Sequence, residues 1–213
     1  MHWVDRGTAP PALTDVQATY TPAWVAYYPN CTGSRPTDDR WRAFQPLLSS
    51  RFHALCGYCE EICNGQVDHF HPKSKFPSRV YEWSNWVLAC PFCNAGGKGE
   101  KWPTVGYVDP CAEPPAERPE TYFIFDTKTG ELLPRVGLSA RRRKRAERMR
   151  DDLKLNHFTH LKSRVQWLHV VRLAVQSADP ADADVRAWIT RVTARDAELS
   201  SLTRQYLAEL RLI

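Results

Sequence analysis

The stretch CGYCEEICNGQVDHFHPKSKFP, Cys56–Pro77, decides how the chain is read, because it sets three cysteines, two histidines and an aspartate in one short segment. Cys56 and Cys59 have knuckle spacing. A second pair, Cys90 and Cys93, follows in NWVLACPFCN, residues 85–94. Four thiolates from two such pairs close a structural zinc site tetrahedrally. The 30 residues between the pairs exceed the roughly 15–20 of a simple zinc ribbon, so the ion is expected to staple the ends of an insert that holds both histidines. Cys31, Cys63 and Cys111 read instead as small buried hydrophobes, with Cys63 close enough to compete as a ligand.

Composition narrows the class. The chain has 213 residues, 43% hydrophobic and 25% charged, enough for one core plus a smaller module and ordinary for a folded protein. No apolar run approaches the roughly 18–20 residues of a membrane span, and MHWVDRGTAP lacks the layout of a signal peptide. A cytoplasmic location is expected, where paired cysteines favour metal over disulfides. The net charge of +5 is concentrated: Ser139–Arg150, SARRRKRAERMR, carries seven basic residues and one acidic one, leaving −1 for the remainder. Such a patch suits a polyanionic partner.

The expected fold class is α+β: a small zinc-stapled core with an added β-hairpin, flanked by N-terminal helices and a C-terminal helical region. Four segments follow: residues 1–50, an aromatic arm and helices; 51–110, the core; 111–138, a linker and hairpin; 139–213, basic and amphipathic helices. TPAWVAYYPN, residues 21–30, reads as an extended arm. From Thr37, a candidate N-cap, Trp41, Phe44, Leu48, Phe52 and Leu55 recur at helical spacing, with Pro46 breaking the run in two. TYFIFDTKTGELLP, Thr121–Pro134, predicts a hairpin around Gly130. Leu161, Val165, Leu168, Val171 and Val175 define one apolar helix face; Val185, Trp188, Val192, Leu199, Leu202, Tyr206 and Leu210 define another, across the break SADPADAD.

Within the insert, Asp68-His69 ends a short strand. Adjacent strand residues point to opposite faces, so a bend or bulge is needed for both to serve one site. A lone Asp-His pair is common; with Asn85, and with Asn94 directly after a knuckle, it becomes specific.

VDHFHPKSKFP followed by NWVLACPFCN resembles the HNH, or ββα-metal, endonuclease motif. The resemblance implies an Asp-His on a hairpin, a central Asn steadying the loop and a third member at a helix start, here Asn94, an H-N-N variant. It implies His69 as general base for phosphodiester hydrolysis, Asp68 and Asn94 as ligands of Mg²⁺ or Mn²⁺, and Asn85 as a loop clamp that aims His69. His71 is open between phosphate contact, metal ligation and packing. Lys73, Lys75 and Lys98 are candidate phosphate contacts, with solvated surface lysines as the alternative. CGYCEE and PKSKFP, with GYVDPCAEP and LKLNHFTHLKSRV further on, are similar to the PtuB-like HNH nucleases of Septu-type and retron-type antiphage systems. That group implies an ABC-type ATPase partner; this chain holds no GxxxxGK[ST] loop of its own.

The basic run, with Arg141, Arg142, Arg143, Lys144 and Arg145, is expected to touch nucleic acid nonspecifically, DNA ranked ahead of RNA, or to anchor to an acidic partner, with a solvated charged helix balanced by Asp151 and Asp152 as the alternative. Its density would spread charge around a helix. Two other readings stand beside the nuclease: a catalytically inactive zinc-stapled nucleic-acid-binding module, and a site-specific restriction-type enzyme, for which no separate base-reading module is visible.

Overall fold

The computed structural model describes residues 1–28, 30–177, 179 and 182–213. At its centre is an antiparallel hairpin of β1, Gln66–His69, and β2, Trp86–Ala89. Their register pairs Gln66 with Ala89, Val67 with Leu88, Asp68 with Val87 and His69 with Trp86. All four β2 side chains are buried, as expected for an apolar strand covered on both faces. After β2 a single helical turn, Asn94–Lys98, closes the ββα unit. Gly97 is required there, since a Cβ would stand 2.8 Å from the Leu153 carbonyl oxygen.

Ahead of the hairpin lie α1, Leu13–Tyr27, and α2, Gln45–Arg51. The aromatic arm is therefore helical as far as Tyr27, where an extended chain was expected; its residue 29 lies outside the described residues. Trp24, 2% exposed, packs on Trp41 with centroids 5.9 Å apart, and burial of that face outweighs the backbone donor lost at Pro22. The second helical run divides as Pro46 requires, a 3₁₀ turn Arg40–Phe44 preceding α2. It begins at Arg40, beyond the expected cap Thr37.

The second hairpin, β3 Phe123–Phe125 with β4 Leu132–Pro134, forms as the sequence indicates. Its turn needs Gly130, at φ +75°. α3, Ala140–Asp152, is the basic run, and the Ser139 hydroxyl accepts from the Arg142 amide at its start.

Among the described residues three helices follow α3, where two long ones were expected: α4 Phe158–Gln176, α5 Ala183–Thr193 and α6 Ser200–Glu209. The last two are separated at Leu199, whose φ of +50° no helix continues. The break SADPADAD falls partly outside the described residues. The buried stripe of α4 is His160, Arg164, Leu168 and Val171, while Val165 is 43% exposed. The apolar face inferred from sequence is rotated because α4 directs two polar side chains at the cysteine cluster and the second hairpin. Gln205 of α6 clamps that hairpin, accepting from the Phe125 amide at 2.7 Å and donating to its carbonyl at 2.5 Å. Buried residues from Met1 to Leu207 form one cluster. Among the described residues, no helix is long and apolar enough to cross a membrane.

Candidate active site and cysteine cluster

The two knuckles meet as their spacing requires. The sulfurs of Cys56, Cys59, Cys90 and Cys93 lie within 4.8 Å of one another, Cys59 Sγ and Cys90 Sγ at 4.0 Å. Four sulfurs each ~2.3 Å from a tetrahedral zinc would be about 3.8 Å apart, so the donor set fits the ion. Burial alone would raise the Cys56 thiol; the thiols of Cys59, Cys63, Cys90 and Cys93 around it hold it well below the usual range. That environment favours a thiolate at Cys56, and the charge there pushes the thiols of Cys59 and Cys93 well above the usual range, so ionising all four calls for a cation among them.

Two residues that the sequence reading missed support this cluster. His160 of α4 places Nε2 3.7 Å from Cys93 Sγ and Nδ1 3.0 Å from Glu61 Oε1. The carboxylate fixes the ring, and the ring meets the sulfur. The acidic pair directly after the first knuckle, CGYCEE, was the available signal.

At the end of β1 the ladder is regular, so Asp68 and His69 face opposite sides of the hairpin. Asp68, 4% exposed, accepts from the Tyr58 hydroxyl at 2.5 Å and from Lys98 Nζ at 2.9 Å; Lys98 Nζ also donates to the His69 carbonyl at 2.7 Å. Asn94 directs its amide to Gln66 Oε1 at 3.4 Å. Both carboxylate oxygens of Asp68 thus have partners, and the cation between Asp68 and the turn that follows is an ammonium. The pair Asp68 and Asn94, as arranged, does not fit a catalytic Mg²⁺ or Mn²⁺.

His69 lies on the other face, 6% exposed, beneath the edge of Trp41 at a centroid distance of 4.9 Å. Its Nε2 is 2.9 Å from the Val80 carbonyl, which also accepts from Trp86 Nε1 at 2.9 Å. A carbonyl only accepts, so Nε2 carries the proton and Nδ1 keeps the lone pair. Burial, with the charge of Lys73, lowers the His69 pKa well below the ordinary histidine value, so the ring is neutral near pH 7.

Asn85, fully buried, holds the loop between the strands. Its Oδ1 accepts from the His71 amide at 2.7 Å, and its Nδ2 donates to the carbonyls of His71 at 3.1 Å and Arg79 at 2.9 Å. The residue gripped is His71, where the sequence pointed to His69. The His71 ring packs tilted against Trp102, centroids 4.4 Å apart, and meets the Arg79 guanidinium. Burial and that charge lower its pKa to about 4.

The basic residues divide. Lys98, 1% exposed, is sealed in its ion pair, which corrects the phosphate contact expected of it. Lys73 places Nζ 4.4 Å from the Trp41 centroid and 5.3 Å from that of Trp24, a cation–π position under α1. Arg142 turns inward: its Nη2 donates to the Ala116 carbonyl at 2.5 Å and to Thr121 Oγ1 at 2.7 Å, so it is committed within the fold. Arg145 is half-buried on Glu117 at 2.6 Å and the Tyr107 carbonyl at 2.7 Å. Arg141, Arg143 and Lys144 are exposed, and Lys75 reaches the Trp102 carbonyl at 3.4 Å.

An Asp-His strand, a loop-clamping Asn, a short closing turn and a knuckle at each end define an HNH endonuclease domain, and residues 56–97 match the family model of the HNH endonucleases. The chain is also similar to the Septu protein PtuB of Bacillus mycoides (strain KBAB4), with 26% identity over 97 residues, 38% of this chain and 33% of that protein. The chain therefore spans about a third of the length of the curated relative it matches.

Proposed function

We propose that the chain is an endonuclease that hydrolyses phosphodiester bonds of nucleic acid as an effector of antiphage defence. The observation that carries this reading is the Val80 carbonyl on His69 Nε2 at 2.9 Å inside an HNH domain. It fixes the neutral tautomer with Nδ1 as proton acceptor, the form a general base needs to activate water. Asn85 keeps the loop carrying His71 and Arg79 in place, and Arg79, paired with Glu82 at 2.6 Å, sets its guanidinium against the His71 ring. The likeness to PtuB supports the defence role, and an ABC-type ATPase partner in the cytoplasm is part of the same proposal. A structural zinc in the cysteine cluster belongs to it as well.

The buried Asp68–Lys98 pair favours a second reading, a catalytically silent domain that binds nucleic acid. One assay separates the two. Plasmid DNA and total RNA are incubated with wild-type and His69→Ala protein, with Mg²⁺, with Mn²⁺ and with EDTA. Cleavage by the wild type that is lost in the variant supports the nuclease and reads out its metal requirement and substrate. Binding without cleavage in both proteins, with the ATPase partner added, supports the silent module.

A further inference from the structure

Trp102 separates two clefts. One, of about 660 Å³, is lined by Arg6, His71, Arg79, Arg141 and Arg145, with Asp109, Glu113 and Glu117 as its acids. The other, of about 390 Å³, sets Lys75, Lys101, Lys144 and Arg148 against the single acid Asp152. Trp102 lines both, with the His71 ring tilted against it at 4.4 Å and with Phe70, Phe76 and Tyr107 bracing it, each with centroids 5.4 Å away. Arg141, Lys144, Arg145 and Arg148 recur at spacings of three and four, which puts them on one face of α3. That face lines both clefts, while Arg142 turns away into the fold.

Arg6 points to a ligand. It is 8% exposed; its Nη1 donates to the Ser84 carbonyl at 2.6 Å, but Nε and Nη2 are buried with no hydrogen-bond partner among the described residues. The Asp109 carboxylate is 3.6 Å from Nη2, too far for a hydrogen bond. Buried guanidinium donors without acceptors are costly, and an anionic oxygen entering the cleft would satisfy them.

We propose that the two clefts and the indole between them form a track for single-stranded nucleic acid, one base stacking on Trp102 and the phosphates on either side entering the two clefts. The chemistry is an aromatic platform flanked by cations. A duplex keeps its base faces stacked on each other, so Trp102 discriminates against it. The track rests on the nuclease reading only for the fate of the strand it holds.

Binding is measured by fluorescence anisotropy on full-length His69→Ala protein with labelled single-stranded DNA of about 15 nucleotides, within the range of known single-strand sites, with RNA of the same sequence and with the matching duplex. The expected result is tighter binding of single strands than of duplex. Trp102→Leu should weaken single-strand binding by roughly 5- to 100-fold, the scale of one stacked base. Arg141→Ala with Arg148→Ala, both exposed and so neutral to folding, should reduce the slope of log affinity against log salt by about 1.4, two phosphates' worth. Duplex binding as tight as single-strand binding, or single-strand affinity unchanged in both variants, overturns the track. Trp102-dependent binding without wild-type cleavage, with the ATPase partner added, upholds the track and removes the nuclease; cleavage with binding that ignores Trp102 does the reverse.

Discussion

Lys98 Nζ stands 2.9 Å from Asp68 Oδ1 in a pair of which neither member is more than 4% exposed. Removing one partner of a buried ion pair strands the other, at a cost of about 3–5 kcal/mol, whereas replacing both together is often neutral. Lys98→Met should therefore destabilise the protein by that amount in urea unfolding, and Asp68→Asn combined with Lys98→Met should recover much of it. A single variant as stable as wild type would mean that the pair opens in solution and Asp68 is free to bind a cation.

Asn85 satisfies three backbone groups at once: the His71 amide and the carbonyls of His71 and Arg79. Each buried group left without a partner costs about 1–3 kcal/mol. Asn85→Ala should lower stability by roughly 3 kcal/mol or more and speed hydrogen exchange at the His71 amide. Asn85→Asp retains the acceptor but not the donors, so it should protect that amide better than Ala does. Equal exchange rates in the two variants would show that the loop is held by something other than this side chain.

What the sequence made legible follows the reach of each signal. Cysteine spacing is a local code, and it located the cluster; Gly130 and Pro46 mark backbone limits, and both act where expected. The N-terminal helix was illegible because proline and aromatic residues argue locally against a helix, and the surface that stabilises it comes from distant positions: Trp41, 17 positions beyond Trp24, and Tyr81, which packs on Tyr20. The buried face of α4 was misread because hydrophobicity cannot reveal that His160 and Arg164 are buried for their polar contacts. Asp68, His69, Asn85 and Asn94 were found as residues, yet their partners Lys98, Val80, His71 and Gln66 come from chain segments whose approach no spacing rule encodes. Trp102 carried no motif; its meaning depends on α3 passing beside it.

Four thiolates need a counter-ion. About one equivalent of zinc should co-purify with the protein, and a strong chelator should abolish cooperative unfolding of the core, because a structural site contributes its binding energy to folding. Cys59→Ser should do the same without chelator. His160→Ala removes the group between Glu61 and Cys93, and should weaken zinc retention about 10- to 100-fold in a competition assay while leaving the metal content at saturation unchanged. Zinc affinity unaffected by His160→Ala would restrict that histidine to anchoring α4.

Stability should depend on pH through His71. Its folded pKa is lowered to about 4 by burial and by Arg79, from the ordinary 6.5, so between those values the unfolded chain binds a proton that the folded one rejects. The stabilising contribution is complete above pH 6.5, shrinks as the pH falls below it, and is lost near pH 4. Buried His69 has the same sign, and protonation of the cysteine thiolates also destabilises in acid, so a wild-type melting curve alone cannot isolate one group. The difference between wild type and His71→Gln can: the variant lacks the titration, so its melting temperature should fall less steeply from pH 7 to pH 4.5, the gap between the two proteins narrowing or reversing as acid is added. A gap constant across that range would mean that His71 is protonated equally in both states, and that the Arg79 guanidinium does not stand against its ring in solution.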